Sequence, residues 1–233
     1  MIYYKLLITF IDFERHLEAF AFYVFIKLIT DRLDIVNKYL ANHSHMKKNC
    51  IHFNNKHKAN NKNIFYIGTF SDKNTKIITL ANVYNVISDA VCLINQIFEI
   101  QIFLTIVSTY IFIIITLWES VYLTHTKKLS KSLITTILQC AAELISIGLM
   151  SYICETMTLK RNSTRKFINE LIMDYDLPQS IRYQAKSFME LMAVQPLEIN
   201  AFEMFTLNTK LMLKFVSVIT TYLIVLLQIS NFL

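Results

Sequence analysis

The sequence predicts an all-α, polytopic membrane helix bundle with four spanning helices and helical extensions on the cytoplasmic side. Three observations carry that fold class. Hydrophobic residues make up 54% of the 233 residues and charged ones only 17%, too little charge to cover a soluble domain. Glycine and proline number two each, so few residues are suited to turning loops and long helices are favoured. Residues 102–118, IFLTIVSTYIFIIITLW, carry no charge and with their flanks reach the roughly 20 residues that a spanning helix needs.

Taken in order, the first span covers about residues 3–29 and is the weakest, because DFERH, residues 12–16, sits near its middle. MIYYKLLITFI has a lysine and an apolar core, but Asp12, Glu14 and Arg15 follow where a small-residue cleavage site would stand, so it is a helix that stays. ITDRLDIVNKYL extends that helix into a polar insert. The centre of the insert, HSHMKKNCIHFNNKHKANNKN, is too rich in Asn, Lys and His to pack a core and predicts disorder. IITLANVYNVISDAVCLINQIFEIQ returns to three- and four-residue apolar steps and leads into the second span, about 100–123.

The third span, about 133–157, contains LITTILQCAAELISIGLMSYIC, interrupted only by Gln139 and Glu143. Two amphipathic helices follow, broken at Leu177 and Pro178, because a proline disfavours helix in the residue before it. The second of these stops at Gln195 and Pro196. The last span, about 211–232, has Lys214 as its only charge.

Lysine and arginine set the orientation. The first connection, 30–99, holds nine, the stretch from Lys160 to Lys186 in the third connection, 158–210, holds six, and the short loop at 124–132 holds three. The first and third connections share a side, which is therefore cytoplasmic, and the C-terminus lies outside. The sequons Asn42-His43-Ser44 and Asn162-Ser163-Thr164 fall on the cytoplasmic side, so neither is expected to be glycosylated.

Several classes are disfavoured. The net charge of +6 comes from cations between apolar runs rather than along one basic face with aromatics, which argues against nucleic acid. Cys50, Cys92, Cys140 and Cys154 form no close-spaced framework. His43, His45, Cys50, His52 and His57 match no tetrahedral zinc spacing and lie in a polar tract. With Gly68 and Gly148 the only glycines, there is no phosphate loop, dinucleotide fingerprint or nucleophile elbow, and an enzyme is not expected.

The last span carries the most informative pattern. At about 100° per residue, Ser217, Thr221, Ile224, Gln228 and Asn231 fall within an arc of about 80°. Such a seam suits a face bonded to other helices of a bundle. It equally suits the wall of a water-filled path, with Ile224 as a hydrophobic constriction, provided that several copies surround it.

The stretch Thr221-Tyr222-Leu223-Ile224-Val225-Leu226-Leu227-Gln228 resembles the signature of insect gustatory receptors: Thr-Tyr, five hydrophobic residues, Gln, then Phe. Ile229 replaces the final Phe. Arg32-Leu33 with Val36-Asn37 and Leu40, Ile94-Asn95 with Phe98 and Gln101, and Phe205-Thr206-Leu207-Asn208 with Leu211 are similar to further segments of that family. The resemblance runs from near residue 10 to the end.

It implies a partial seven-helix receptor, the four spans corresponding to the fourth through seventh. A truncated or degenerate copy is therefore expected, whose residue 1 need not be a true start. It implies a taste-receptor subunit in the plasma membrane of a sensory neuron, a ligand-gated non-selective cation channel of four like or unlike subunits that binds a small-molecule tastant. The alternative is a non-conducting partner that assembles with other receptors. No cofactor is expected. The resemblance gives Ser217, Thr221, Tyr222, Ile224, Val225, Gln228 and Ile229 the pore lining and gate. It points to Tyr110, Trp118, Glu119, Tyr122, Gln139 and Glu143 as candidates for the ligand pocket. An intramembrane carboxylate such as Glu143 is costly and so a functional candidate on its own account, weighed against a structural hydrogen bond to a neighbouring helix.

Overall fold

A computed structural model of the chain describes the backbone of residues 2–54, 76–125 and 131–232, and the side chains of 3, 10, 13–41, 76–120 and 137–228. Among these residues its regular elements are five helices and one short hairpin: α1 (Ile2–Asn54), α2 (Lys76–His125), α3 (Lys131–Met173), α4 (Gln179–Val194), the two-residue strands β1 (Asn200–Ala201) and β2 (Phe205–Thr206), and α5 (Thr209–Phe232). Helix α1 runs on to Asn54, into the polar tract for which disorder is expected. That tract contains no glycine or proline before Gly68, so nothing in it actively breaks a helix. Residues 55–75 lie outside the described part, as does most of the 124–132 loop.

Among the described residues, three helical segments are long and apolar enough to cross a membrane: Lys76–Ser120, Ile137–Met173 and Thr209–Gln228. They overlap the second, third and last predicted spans. Within the predicted first span, the side chains of residues 4–9, 11 and 12 lie outside the described part.

The chain divides into two compact units. The first combines Met1–Lys27, Leu93–Glu155 and Glu198–Leu233. Its core takes one stripe from each helix: Phe22 and Ile26 from α1, Ile102, Ile106 and Ile113 from α2, and Ile147, Met150 and Cys154 from α3, at the steps of three and four that put side chains on one face. The edge of Phe98 meets Phe22 with ring centroids 5.5 Å apart.

The second unit comprises Leu28–Cys92 and Thr156–Leu197. Leu33, Val36 and Leu40 of α1 share its core with Tyr84 and Val91 of α2, Met157 and Ile168 of α3, and Ile181, Phe188 and Met192 of α4. Chain direction changes between α3 and α4 as the sequence predicts: Leu177 N–H closes a turn onto the Asp174 carbonyl at 3.2 Å, and Pro178 precedes α4. Tyr84 donates to the Gln195 carbonyl at 3.1 Å, satisfying one acceptor at the end of α4.

Polar groups of this unit are answered in pairs. Asn37 accepts from the buried Thr164 hydroxyl at 2.6 Å and donates to the Lys160 carbonyl at 2.9 Å. Thr164 is the third residue of the Asn162 sequon, so its hydroxyl is committed to the interior of a helix pair. Asp34 accepts from Lys160, and from Lys38 one turn along at 3.0 Å.

The bonds from Lys160 and then Lys38 hold the Asp34 carboxyl below its ordinary value. A carboxylate whose value is lowered by folding lends stability that is fully present above its unfolded value, near pH 4, and disappears as pH falls through the lower folded value. Thermal unfolding of the purified chain should therefore show a larger drop in Tm between about pH 6 and about pH 3 than the Asp34→Asn variant shows; equal drops would contradict this role.

Candidate functional site

The last apolar helix is set by what precedes it. β1 and β2 pair antiparallel, Asn200 with Thr206 and Ala201 with Phe205, and Leu207 N–H closes the hairpin onto the Ile199 carbonyl at 2.8 Å. Phe202 and Glu203 at its tip have φ of 50° and 55°, the left-handed region that costs a residue with a side chain about 1–2 kcal/mol. One face of α2 offsets that cost. Glu99 accepts from Phe202 N–H at 2.6 Å, Asn95 accepts from Asn200 N–H at 2.9 Å, and Phe103 meets the Phe202 ring edge-on at 5.3 Å. Asn95, Glu99 and Phe103 are successive i, i+4 positions, so one helix stripe grips the whole hairpin.

Asn208 then starts α5 as an N-cap. Its carboxamide oxygen accepts from Leu211 N–H at 2.9 Å while its nitrogen donates to Thr206 at 2.9 Å. The Phe-Thr-Leu-Asn segment thus supplies a strand, a hairpin closure and a helix cap in four residues.

Helix α5 leans on the rest of its unit with one face. Phe215 packs edge-on against Tyr110 of α2, with centroids 5.9 Å apart. Met212 lies beside Gly148 of α3, its Cε 3.9 Å from where a Cβ would stand. Ile219, Tyr222 and Leu223 are half-buried and Leu226 is buried. The opposite face is open: Ser217, Thr221, Ile224, Val225 and Gln228 are all exposed. Only 6% of the apolar window of α5 is buried, against 28% and 33% in the other two candidate spans.

The polar seam therefore points away from the helices of its own unit and does not bond to them. Thr221 donates to the Ser217 carbonyl at 3.0 Å and Thr220 to the Val216 carbonyl at 2.9 Å, which satisfies those hydroxyls within the helix. The Gln228 carboxamide and the Ser217 hydroxyl hydrogen-bond to no described residue. Tyr222 sits on the edge of the packed face rather than in the seam. Lys214 is exposed one turn before Ser217. The side chains of Ile229 and Asn231 lie outside the described residues.

The second polar feature is buried. Glu143 of α3 is 2% exposed and forms an ion pair with Arg15 of α1. It also accepts from the Thr109 hydroxyl of α2 at 3.3 Å, and His16 Nε2 lies 3.8 Å away. Arg15 donates in addition to Ser108 at 3.3 Å, and Ser108 donates to the Thr105 carbonyl at 3.1 Å. Three helices thus converge on one carboxylate, with its charge matched and each of its two oxygens given a donor. The arrangement fits a structural lock at least as well as a ligand contact.

Of the other candidate pocket residues, Tyr110 is engaged by Phe215 and Gln139 is exposed. Trp118 and Glu119 are exposed and make no hydrogen bond, ion pair or ring contact with described residues. The Tyr122 side chain lies outside the described part. Glu143 is therefore brought together with Thr109, beside Tyr110 in sequence, and not with Trp118 or Glu119. Arg15 is the partner that the sequence reading passed over. Its signal was there: an arginine near the middle of one apolar run and a carboxylate inside another. Among the described residues no cluster of His, Cys, Asp and Glu could hold a metal ion; the histidine-rich tract at 43–57 has no described side chains.

The model of a protein family described as 7tm chemosensory receptor matches residues 2–231. No curated protein matches the chain.

Removing one partner of a buried pair leaves an uncompensated charge, which costs about 3–5 kcal/mol. Arg15→Met should destabilise the purified chain by about that much, and Arg15→Met combined with Glu143→Leu should recover most of it. Additive losses in the double variant would show that Arg15 and Glu143 do not act as a pair.

Proposed function

We propose, from the premise that this chain belongs to the family of 7tm chemosensory receptors, that it is a taste-receptor subunit forming a ligand-gated, non-selective cation channel. The observation that carries the channel reading is the outward polar seam of α5. In hydrocarbon a carboxamide without a partner costs several kcal/mol, so Gln228 calls for water or another protein chain beside it. A ring of subunits supplies both: the seams face a common axis, and water fills the space between them.

In this arrangement Ser217, Thr221, Ile224, Val225 and Gln228 line the path. Ile224 narrows it with an apolar girdle that dewets when closed, and Ile229 continues the lining towards the external end. Tyr222, at the rim of the packed face, couples the lining to the helices behind it. Four subunits assemble, alone or with related receptors, in the plasma membrane with the C-terminus outside; the excess of Lys and Arg in the two longer connections supports that sidedness.

A small-molecule tastant binds among the helices behind α5. Tyr110, which touches Phe215, is the candidate best placed to pass its occupancy to the seam. Trp118, Glu119, Tyr122 and Gln139 supply further polar and aromatic contacts, and Glu143 with Arg15 positions the wall.

One observation favours a second reading, a subunit that conducts only beside other receptors. Lys214 is exposed near the seam, and four lysines at one end of a path would repel cations. Related subunits without that charge would relieve the repulsion.

The test is ligand-evoked current in cells expressing the receptor, alone and with related subunits. Gln228→Ala should change ion selectivity or block, and Ile224→Ala should raise the current without ligand. Currents indifferent to both substitutions would remove α5 from the pore.

A further inference from the structure

We infer that the groove on α3 beside α4 binds a phosphorylated polyol, either the headgroup of an anionic lipid or its soluble counterpart. The groove holds about 500 Å3 and is lined by Asn162, Arg165, Lys166, Asn169 and Met189. All five belong to the second unit, whereas the seam and the Arg15–Glu143 pair belong to the first, and the inference does not depend on the channel reading.

The first four stand at i, i+3, i+4 and i+7 on α3, so their side chains leave the helix within an arc of about 100°. All four are exposed. A surface cation on a helix is commonly answered by a carboxylate one turn away, and Lys38 follows that habit with Asp34. Glu170 stands one turn from Lys166, yet neither Arg165 nor Lys166 forms an ion pair with a described carboxylate. Two uncompensated cations share one concave surface with two amides.

The donor count selects the ligand. Arginine and lysine offer only donors, and each asparagine adds two more beside one acceptor. A carboxylate would occupy the guanidinium fork and leave the lysine and the amides without work. A phosphate ester near two negative charges, with three free oxygens, can engage both cations, and the amides can both donate to and accept from neighbouring hydroxyls. The volume lies within the roughly 300–1,000 Å3 of small-molecule sites, room for a polyol ring rather than a lone ion, and Met189 gives that ring an apolar wall.

The membrane is close in sequence. Asn162 stands eight positions after Cys154, where the apolar run ends, or about 12 Å of helical rise. Long basic side chains can lean back across part of that distance, towards headgroup phosphates that project from the interfacial layer.

The test uses the full chain in neutral detergent and a fluorescent short-chain phosphatidylinositol bisphosphate as probe. Saturable binding is expected, weakened about thirtyfold in the Arg165→Gln/Lys166→Gln double variant, roughly a factor of five for each cation. Arg165→Lys, which keeps the charge, should retain binding within a few fold. Arg32→Gln/Lys210→Gln, which removes the same charge elsewhere, should leave it unchanged. Competition by soluble inositol trisphosphate at concentrations similar to the lipid would identify the phosphorylated ring alone as the ligand; competition by the diacyl form only would identify the lipid. Absence of saturable binding, or equal weakening in both double variants, would overturn the site.

Discussion

Hydrocarbon offers no hydrogen-bond partner, so every polar group placed in a spanning helix must be satisfied by the protein or be brought to water. The first unit of this chain shows the first solution, and the proposed pore supplies the second. Glu143 takes the first: it is 2% exposed and receives Arg15 and Thr109 from two other helices, so its charge is matched where solvent is absent. The proposed pore assigns the second to Gln228 and Ser217. They stand on the open face of α5 without a partner among the described residues, and a carboxamide left dry there costs about 2–7 kcal/mol. The apolar residues of the chain are content in lipid, whereas this one strip is not, and the proposed assembly rests on that difference.

The strip can face outward only because α5 is held from its other side and from its start. Phe215 against Tyr110 and Met212 beside Gly148 settle its rotation. The hairpin settles where it begins. Phe202 and Glu203 both adopt left-handed backbone under the grip of Asn95, Glu99 and Phe103, so α2 holds a strained turn at the base of the last helix. Strain of this kind persists where surrounding contacts over-determine it, and here it joins the helix bearing Tyr110 to the helix bearing the seam. On the proposed function, a ligand that shifted α2 by a small amount would act on α5 through two routes, the Phe215 contact and the hairpin.

Much of this was legible in the sequence because it depends on local spacing. The break at Leu177 and Pro178, the three apolar segments, the extension of α1 past Ile29 and the arc shared by Ser217, Thr221, Ile224 and Gln228 are all periodicities of a few residues. Which way the arc faces was not legible, since it is decided by partners on α2 and α3. Arg15 lies 128 residues from Glu143, and in sequence it only weakened a predicted span; paired, it explains why a cation is tolerated there. The strands around Phe202 escaped notice because two-residue strands carry no alternation, and their stability comes from α2 rather than from propensity. Asn208, noticed as part of a motif, gains a physical reason as the cap of α5.

The central claim is that the polar face of α5 meets water in the assembled receptor. Single cysteines introduced from position 212 to position 228 and exposed to a water-soluble thiol reagent would test it, because only a hydrated, ionised thiolate reacts quickly. The account predicts fast modification at Ser217→Cys, Thr221→Cys, Ile224→Cys and Gln228→Cys, faster still with ligand, and slow modification at Ile219→Cys, Leu223→Cys and Leu226→Cys. Rates without helical periodicity, or a seam that stays protected while the packed face reacts, would contradict it.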